Sequence, residues 1–353
     1  MAVSPFFEGR PRYGVYDAFV LNDTVDWRSH FANGLFLIDH LDIVAVNNKN
    51  LLIHEEISME QGLERRDVHW ETSSGVLHEY YLKDPGSSLL PWRMEYFIKD
   101  DSDYVLMCEA LSGSTFSLKT PGHLFMDPAV LRLDDQAVLP IISMERTPFQ
   151  KVQLDFTGLE KFAIDLAFEN SGLFELVEIM NQQLLDKFEL VKHQPVRDIK
   201  LWENLSIEVL GPANFRKHLV PVYDKLAAIL AGTGKQLHLH LDGKLRLIKD
   251  DIARLKLGGI DSLCSGADAD VSVSEAVQAW PDSFLWINLF PGWFTEDPAG
   301  LLVNVQEIMA DAWGSQYCFI ISEDVPPYAN VNIQAVLELL ATDLPQGHQH
   351  VHG

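Results

Sequence analysis

From about residue 195 onward the chain repeats one unit, a short apolar run followed by a stretch with helical spacing. Strand candidates fall at residues 199–202, 236–241, 260–264, 284–289 and 317–322, each separated from the next by a helix candidate. Alternation of this kind means parallel strands joined by helical crossovers. Each run ends in small polar residues: Glu203 and Asn204, Asp242 and Gly243, Cys264 and Ser265, Asn288 ahead of Pro291 and Gly292, and Ser322, Glu323 and Asp324. These endings define a rim of the sort on which α/β enzymes build their chemistry.

The first half is less regular. A strand is expected over 13–19, an amphipathic helix over 27–37 and a second strand over 41–46. Residues 53–100 turn aromatic, polar and rich in turn signals, which suggests antiparallel strands decorating the main fold. Helical periodicity returns at 103–111. The stretch 122–146 is mixed and assigns no element, and 158–191 reads as two helices broken near Asn170, Ser171 and Gly172. Five regular units after such an opening, with no linker, favour an α/β fold of the (β/α)8 TIM-barrel type over a doubly wound sheet. One barrel domain is expected over 1–345, with the strand-rich insertion at 53–100 and a His-rich tail at 346–353.

Within this frame the run Gln236, Leu237, His238, Leu239, His240, Leu241, Asp242, Gly243 has the sharpest pattern. Successive side chains of a strand point to opposite faces, so the three leucines pack against helices while His238, His240 and Asp242 share the other face. Gly243 ends the strand, a helix is expected over 244–255, and His240 and Asp242 fall where strand gives way to loop.

Composition narrows the partners. Fifty-one acidic residues against 27 basic ones give a formal net charge of -24, with no Lys or Arg run, which argues against nucleic acid and anionic membrane as partners and for a small-molecule substrate. Cys108, Cys264 and Cys318 fit neither a disulfide framework nor a CxxC zinc module, the first twelve residues lack the apolar core of a secretory signal, and no stretch spans a membrane. A cytoplasmic protein is expected. Dinucleotide, P-loop and nucleophile-elbow patterns are missing, so those chemistries gain no support.

Four passages, in order and spacing, resemble the uroporphyrinogen decarboxylase superfamily, which includes cobalamin-dependent methyltransferases: Arg146-Thr147-Pro148-Phe149 with Gly158-Leu159-Glu160, the stretch 212–223, His240-Leu241-Asp242-Gly243, and Ser322-Glu323-Asp324-Val325-Pro326-Pro327. The resemblance covers roughly residues 10–340 and implies a barrel with its cleft at the C-terminal strand ends. Two departures qualify it. The Arg- and Gly-rich loop that grips porphyrinogen carboxylates is reduced to Glu8-Gly9-Arg10-Pro11-Arg12. The zinc-binding His-x-Cys and final Cys of the methyltransferases are matched by His240, with Asp242 and Glu323 at about the cysteine positions.

The resemblance therefore implies a divalent metal at His240, Asp242 and Glu323, zinc first, with iron or manganese suited to the harder oxygen donors. It also implies a corrinoid as methyl donor and a corrinoid protein as partner, and it leaves a homodimer open. Glu203 and Asn204 are candidates for bonding a substrate or for capping the next helix. Asp324 is a candidate to support Glu323 or to sit in solvent, and Asn288 to bind a cofactor beside an apolar wall of Trp286, Trp293 and Phe294. His238 reads as a satisfied interior histidine and Cys264 as a small buried hydrophobe or a group near the metal. The tail histidines 348, 350 and 352 read as an adventitious cluster. Metal-dependent methyl transfer leads; metal-free decarboxylation of a tetrapyrrole and a non-catalytic ligand- or corrinoid-binding barrel are the alternatives.

Overall fold

The computed structural model describes residues 13–15, 24–86, 91–125, 127–133, 137–205, 207–321 and 325–342. Its strands are β1 (Tyr13–Val15), β2 (Phe36–Asn48), β3 (Leu52–Glu60), β4 (Leu63–Glu71), β5 (Val76–Lys83), β6 (Trp92–Glu95), β7 (Ser114–His123), β8 (Val138–Met144), β9 (Asp198–Leu201), β10 (Gln236–His240), β11 (Gly259–Cys264), β12 (Phe284–Asn288) and β13 (Tyr317–Ile321). Eight of them, in the order β1-β13-β12-β11-β10-β9-β8-β2, pair in parallel, and a β1–β2 pairing closes the ring. This is the expected (β/α)8 barrel. The far end of β2 runs on past the barrel and pairs antiparallel with β7, while β3 to β6 form the antiparallel insertion anticipated over 53–100. Among the described residues no helix is long and apolar enough to cross a membrane.

Strand parity sorts the core. Ile199, Leu201, Leu237, Leu239, Ile260, Leu285, Ile287 and Phe319 join the large cluster packed with the surrounding helices. Phe36, Ile38, Leu139, Ile141, Phe284, Trp286, Cys318 and Ile320 form a second cluster that fills one side of the barrel interior. The other side, on β9, β10 and β11, is polar: Asp198, Lys200, His238, His240 and Asp261 are all buried there. One barrel thus has a dry half and a charged half.

Two expected helices are shorter than their patterns. The first ends at Ala32, because Asn33 and Gly34 close it, Gly34 lying at φ 105, and β2 starts at Phe36 where the buried run begins. The expected helix over 244–255 is a 3-10 turn at Arg246–Ile248 followed by Lys249–Ile252; the Asp270 carboxylate accepts from the Leu245 and Arg246 backbone N–H groups at 2.8 and 3.1 Å and starts the turn late. The break between the helices Gly158–Ala167 and Ser171–Val191 falls where expected, with Asn170 accepting from the Gly172 N–H at 2.9 Å.

The bond between the two interior halves is made by His238. The Trp286 indole N–H donates to His238 Nδ1 at 3.0 Å, so that nitrogen carries no proton, and Nε2–H donates to Asp198 at 2.9 Å. His238 is the satisfied interior histidine its parity suggested. Gly259, its neighbour on β11, leaves it room: a Cβ there would meet the His238 ring nitrogen and, at 2.7 Å, the Phe284 carbonyl oxygen. Gly259→Ala is expected to cost about 2 kcal/mol or more, read as a lower urea midpoint with an unchanged slope. An unchanged midpoint would show that the ring has slack.

Candidate functional site

Toward the C-terminal ends of the barrel strands, side chains from β2, β9, β10 and β11 meet around Trp202, the first residue past β9. Its ring centroid lies 5.0 Å from that of His240 and 4.8 Å from that of His40, and the Lys200 ammonium sits 3.5 Å from it. Lys200 is fully buried, a position a cation tolerates only with a paired anion and the face of a ring beside it. Asp261 supplies the anion. Its Oδ2 lies 3.0 Å from Lys200 Nζ and accepts from His240 Nδ1 at 2.7 Å.

That shared oxygen fixes the histidine. With Nδ1 committed to Asp261, Nε2 is turned toward Asp242, whose Oδ2 stands 3.6 Å away. Asp242 is in turn held by Asn204 Nδ2 at 3.1 Å, and Asn204 Oδ1 accepts from Arg146 Nη2 at 3.1 Å. Asn204 lies at φ 47, a left-handed conformation that asparagine tolerates better than most residues, and its N–H donates to the His240 carbonyl at 3.1 Å. Burial disfavours a charged His240, but the Asp242 and Asp261 carboxylates outweigh it and raise the ring's pKa. Burial likewise works against an ionised Asp242, yet His240 and Asn204 hold its pKa down.

A bulge in β11 makes the arrangement possible. Strict alternation would put Leu263 on the face of Asp261, but the register shifts between Ile260 and Leu263, with Ser262 at φ 59. Leu263 returns to the helix layer while Asp261 stays inside the barrel. Sequence parity is therefore ambiguous at Asp261, inward when counted from Ile260 and outward when counted from Leu263. Lys200 did leave a cue, a lone lysine between Ile199 and Leu201 on the parity that faces inward, and His40 sits likewise in the apolar run of β2.

The other candidates scatter. Asn288, at the end of β12, reaches Ser262 Oγ at 3.4 Å, and its buried Oδ1 has no hydrogen-bond partner among the described residues. Cys264 donates its thiol to the Asp242 carbonyl at 2.9 Å. Trp286 is inside the barrel on His238, Phe294 is in the outer core, and Trp293 packs on Phe290, so these three do not form one wall. Glu203 has the parity opposite to Trp202 and is fully buried, accepting from the Thr147 hydroxyl at 2.9 Å and the Thr147 N–H at 3.2 Å. Glu323, Asp324, Arg10, Arg12 and the tail histidines lie outside the described residues.

As a place for a divalent ion, the pair His240 Nε2 and Asp242 Oδ2 fits, because a separation of 3.6 Å lets bonds of roughly 2 Å from each atom meet at one ion. The Nδ1–H bond to Asp261 is the kind of support that orients a metal-binding imidazole. Among the described residues no group of three His, Cys, Asp or Glu is arranged to hold a metal, so a third donor would come from beyond them.

No protein-family model matches the chain, and no curated protein matches it. Among solved structures it is similar to a methyltransferase from Methanosarcina mazei, at 13% identity over 72% of each chain with a TM-score of 0.48. It is also similar to a structure of the pneumococcal virulence factor StrH, at 9% identity over 96% of this chain and 85% of that one with a TM-score of 0.39. An L-Ala-D/L-Glu epimerase matches at 10% identity over 84% of this chain and 89% of that one, with a TM-score of 0.23. Likenesses this distant assign no activity; the barrel stands on its own strand order.

Burial pushes the Glu203 carboxyl up to about 7, against the hydrogen bonds from Thr147 that favour its charge. Between its ordinary pKa near ~4.5 and about 7 the folded protein keeps a proton that the unfolded chain has released, so stability falls as pH rises through that window. The loss amounts to on the order of 3 kcal/mol. Urea unfolding at pH 5, 6, 7 and 8 should show this slope in the wild type and a flatter one in Glu203→Gln. Parallel profiles would mean that Glu203 is ionised throughout.

Proposed function

We propose that the chain is a barrel enzyme of group transfer, in which His240, Asp242 and Glu323 hold a divalent metal at the barrel mouth and the transferred group is methyl. The observation that supports it most is His240 itself, an imidazole with a carboxylate opposite each nitrogen. Asp261 accepts the hydrogen bond from Nδ1–H, and the space between Nε2 and Asp242 suits a cation, either a second proton or a metal ion. Glu323 follows β13 by two residues and supplies the third donor, the second oxygen, in this reading.

When bound, the metal supplies Lewis acidity, and a site with one nitrogen and two oxygen donors keeps an ion more electrophilic than thiolates would. The remaining work belongs to the chain. Asp261 fixes the His240 ring, Lys200 pairs with Asp261, and Asn204 aims Asp242 at the mouth. Asn288 offers an acceptor oxygen on the same rim, and Trp202 closes the floor. The methyl donor in this reading is a corrinoid, free or on a partner protein. It is the likeness of the His240-Leu241-Asp242-Gly243 passage to the corrinoid-dependent methyltransferases that suggests it.

The raised pKa of His240 favours a second reading, in which the cation is the proton and the imidazolium acts as acid in a metal-free decarboxylation. Metal content separates the two. With His348, His350 and His352 changed to Ala, the full-length protein should take up one zinc per chain, with His240→Ala and Asp242→Ala taking up none while keeping wild-type circular dichroism. Protons compete for Nε2, so uptake should strengthen as pH rises through the His240 titration. Metal-loaded enzyme should then demethylate methylcobalamin, seen in its visible spectrum, with some member of a panel of thiols and a folate. Protein that takes up no metal ends the first reading, and metal-loaded protein inert toward the whole panel ends methyl transfer.

A further inference from the structure

A cavity of about 490 Å³ lies where the inserted sheet meets the barrel, between β4 to β6 on one side and β2, β7 and the helix Ser171–Val191 on the other. Part of its wall is aromatic: Trp70, Phe97, Phe116 and Phe156 all line it. Trp70 packs on Phe97 with centroids 4.8 Å apart and meets Phe156 edge-on at 6.2 Å. This volume and lining are of the kind that takes a small organic molecule.

The charged groups of the wall decide which molecule. Three acids, Glu79, Glu145 and Asp155, face four bases, Arg93, Arg146, Lys151 and Lys187. Arg93 lies 3.3 Å from Glu79 and Arg146 3.4 Å from Asp155, which leaves Lys151 and Lys187 sharing the single carboxylate of Glu145. Although burial favours its neutral form, the two ammonium groups bring the Glu145 pKa down to about 2, so the trio carries one net positive charge. It does so in a protein of formal net charge -24, on side chains only 12 to 28% exposed. A half-buried charge without its own counter-ion is costly, and an anion placed beside it offsets that cost.

The rings stand next to these cations. Lys187 Nζ is 4.8 Å from the Phe116 centroid and Lys151 Nζ 5.9 Å from that of Phe156. An anionic head at the lysines would therefore leave an attached apolar body against the aromatic wall. We propose that this cavity binds a monoanion with an apolar body, an aromatic or medium-chain carboxylate, held by Lys151 and Lys187 at its head and by Trp70, Phe97, Phe116 and Phe156 along its length. The inference is independent of the metal reading. Arg146 lines the cavity and also donates to Asn204, which holds Asp242, so the occupant lies beside the barrel mouth.

The test is calorimetric titration of the full-length protein with naphthalene-2-carboxylate and with octanoate, each compared with its neutral amide. Both acids are expected to bind at least about tenfold more tightly than their amides, the difference an ion-assisted hydrogen bond gives. Lys151→Gln and Lys187→Gln should each remove most of that preference while leaving the weak binding of the amides, which also reports that the cavity is intact. Ile53→Trp, at an exposed position on the cavity edge, should weaken acid and amide together without touching the lysines. Three results would overturn the proposal: no binding of either acid to the wild type, equal affinity for acid and amide, or acid binding unchanged in both lysine variants.

Discussion

One carboxylate oxygen organises the centre of this barrel. Asp261 Oδ2 takes both the Lys200 ammonium and the His240 Nδ1–H, and all three groups are buried. Removing charges from water costs several kcal/mol each, and only close pairing with further hydrogen bonds repays it. The geometry is therefore over-determined: Lys200 cannot leave Asp261 without giving up a carboxylate 3.0 Å away, and Asp261 cannot turn without releasing His240. The outcome is an imidazole whose reactive nitrogen is aimed before any ligand arrives, which is what a metal site or an acid catalyst requires.

The same requirement explains why the barrel interior is divided. A ring of eight parallel strands offers inward positions that are normally filled by branched apolar side chains. Here β12 and β13 keep to that pattern and β2 and β8 depart from it at the bonded pair His40 and Ser143, while β9, β10 and β11 carry acids, histidines and a lysine. Polar groups placed singly among apolar ones would each be stranded. Kept together on three adjacent strands they satisfy one another, and His238 ties the two halves through Trp286 on one side and Asp198 on the other.

How much of this could be read from the sequence follows from what sets each feature. The five strands of the second half were legible almost to the residue, because outward leucines and isoleucines alternate with inward polar residues and a polar turn closes each run. The insertion was legible from its change of composition. His240 and Asp242 stood out because two polar residues share one face of an otherwise leucine strand. Asp261 did not, since Ile260 places it inward and Leu263 outward until the bulge at a left-handed Ser262, for which serine gives no signal, is known. Glu203 looked like a rim residue from its position alone, yet one step of parity turns it away from Trp202 and onto Thr147. The partnership of Lys200 with Asp261 joins residues 61 positions apart and belongs to tertiary packing that no local pattern encodes.

The insertion shows how a strongly acidic chain makes a positively charged place. Net charge describes the surface as a whole, while local sign depends on how acids and bases are paired where water is scarce. Glu145 and Arg146, just past β8, lie on one wall of the cavity, and the inserted sheet faces them with Glu79 and Arg93. Because two lysines converge on Glu145, the pairing cannot come out even, and the surplus sits against aromatic rings that hold water off. Arg146 then connects this wall to Asn204 and Asp242 at the barrel mouth. A barrel without the insertion would keep the His240 centre but lose the wall of Trp70, Glu79, Arg93 and Phe97, so the surplus charge would face solvent and select nothing. The insertion thus turns one end of β8 from a solvated rim into an enclosed, charged cavity beside the His240 centre.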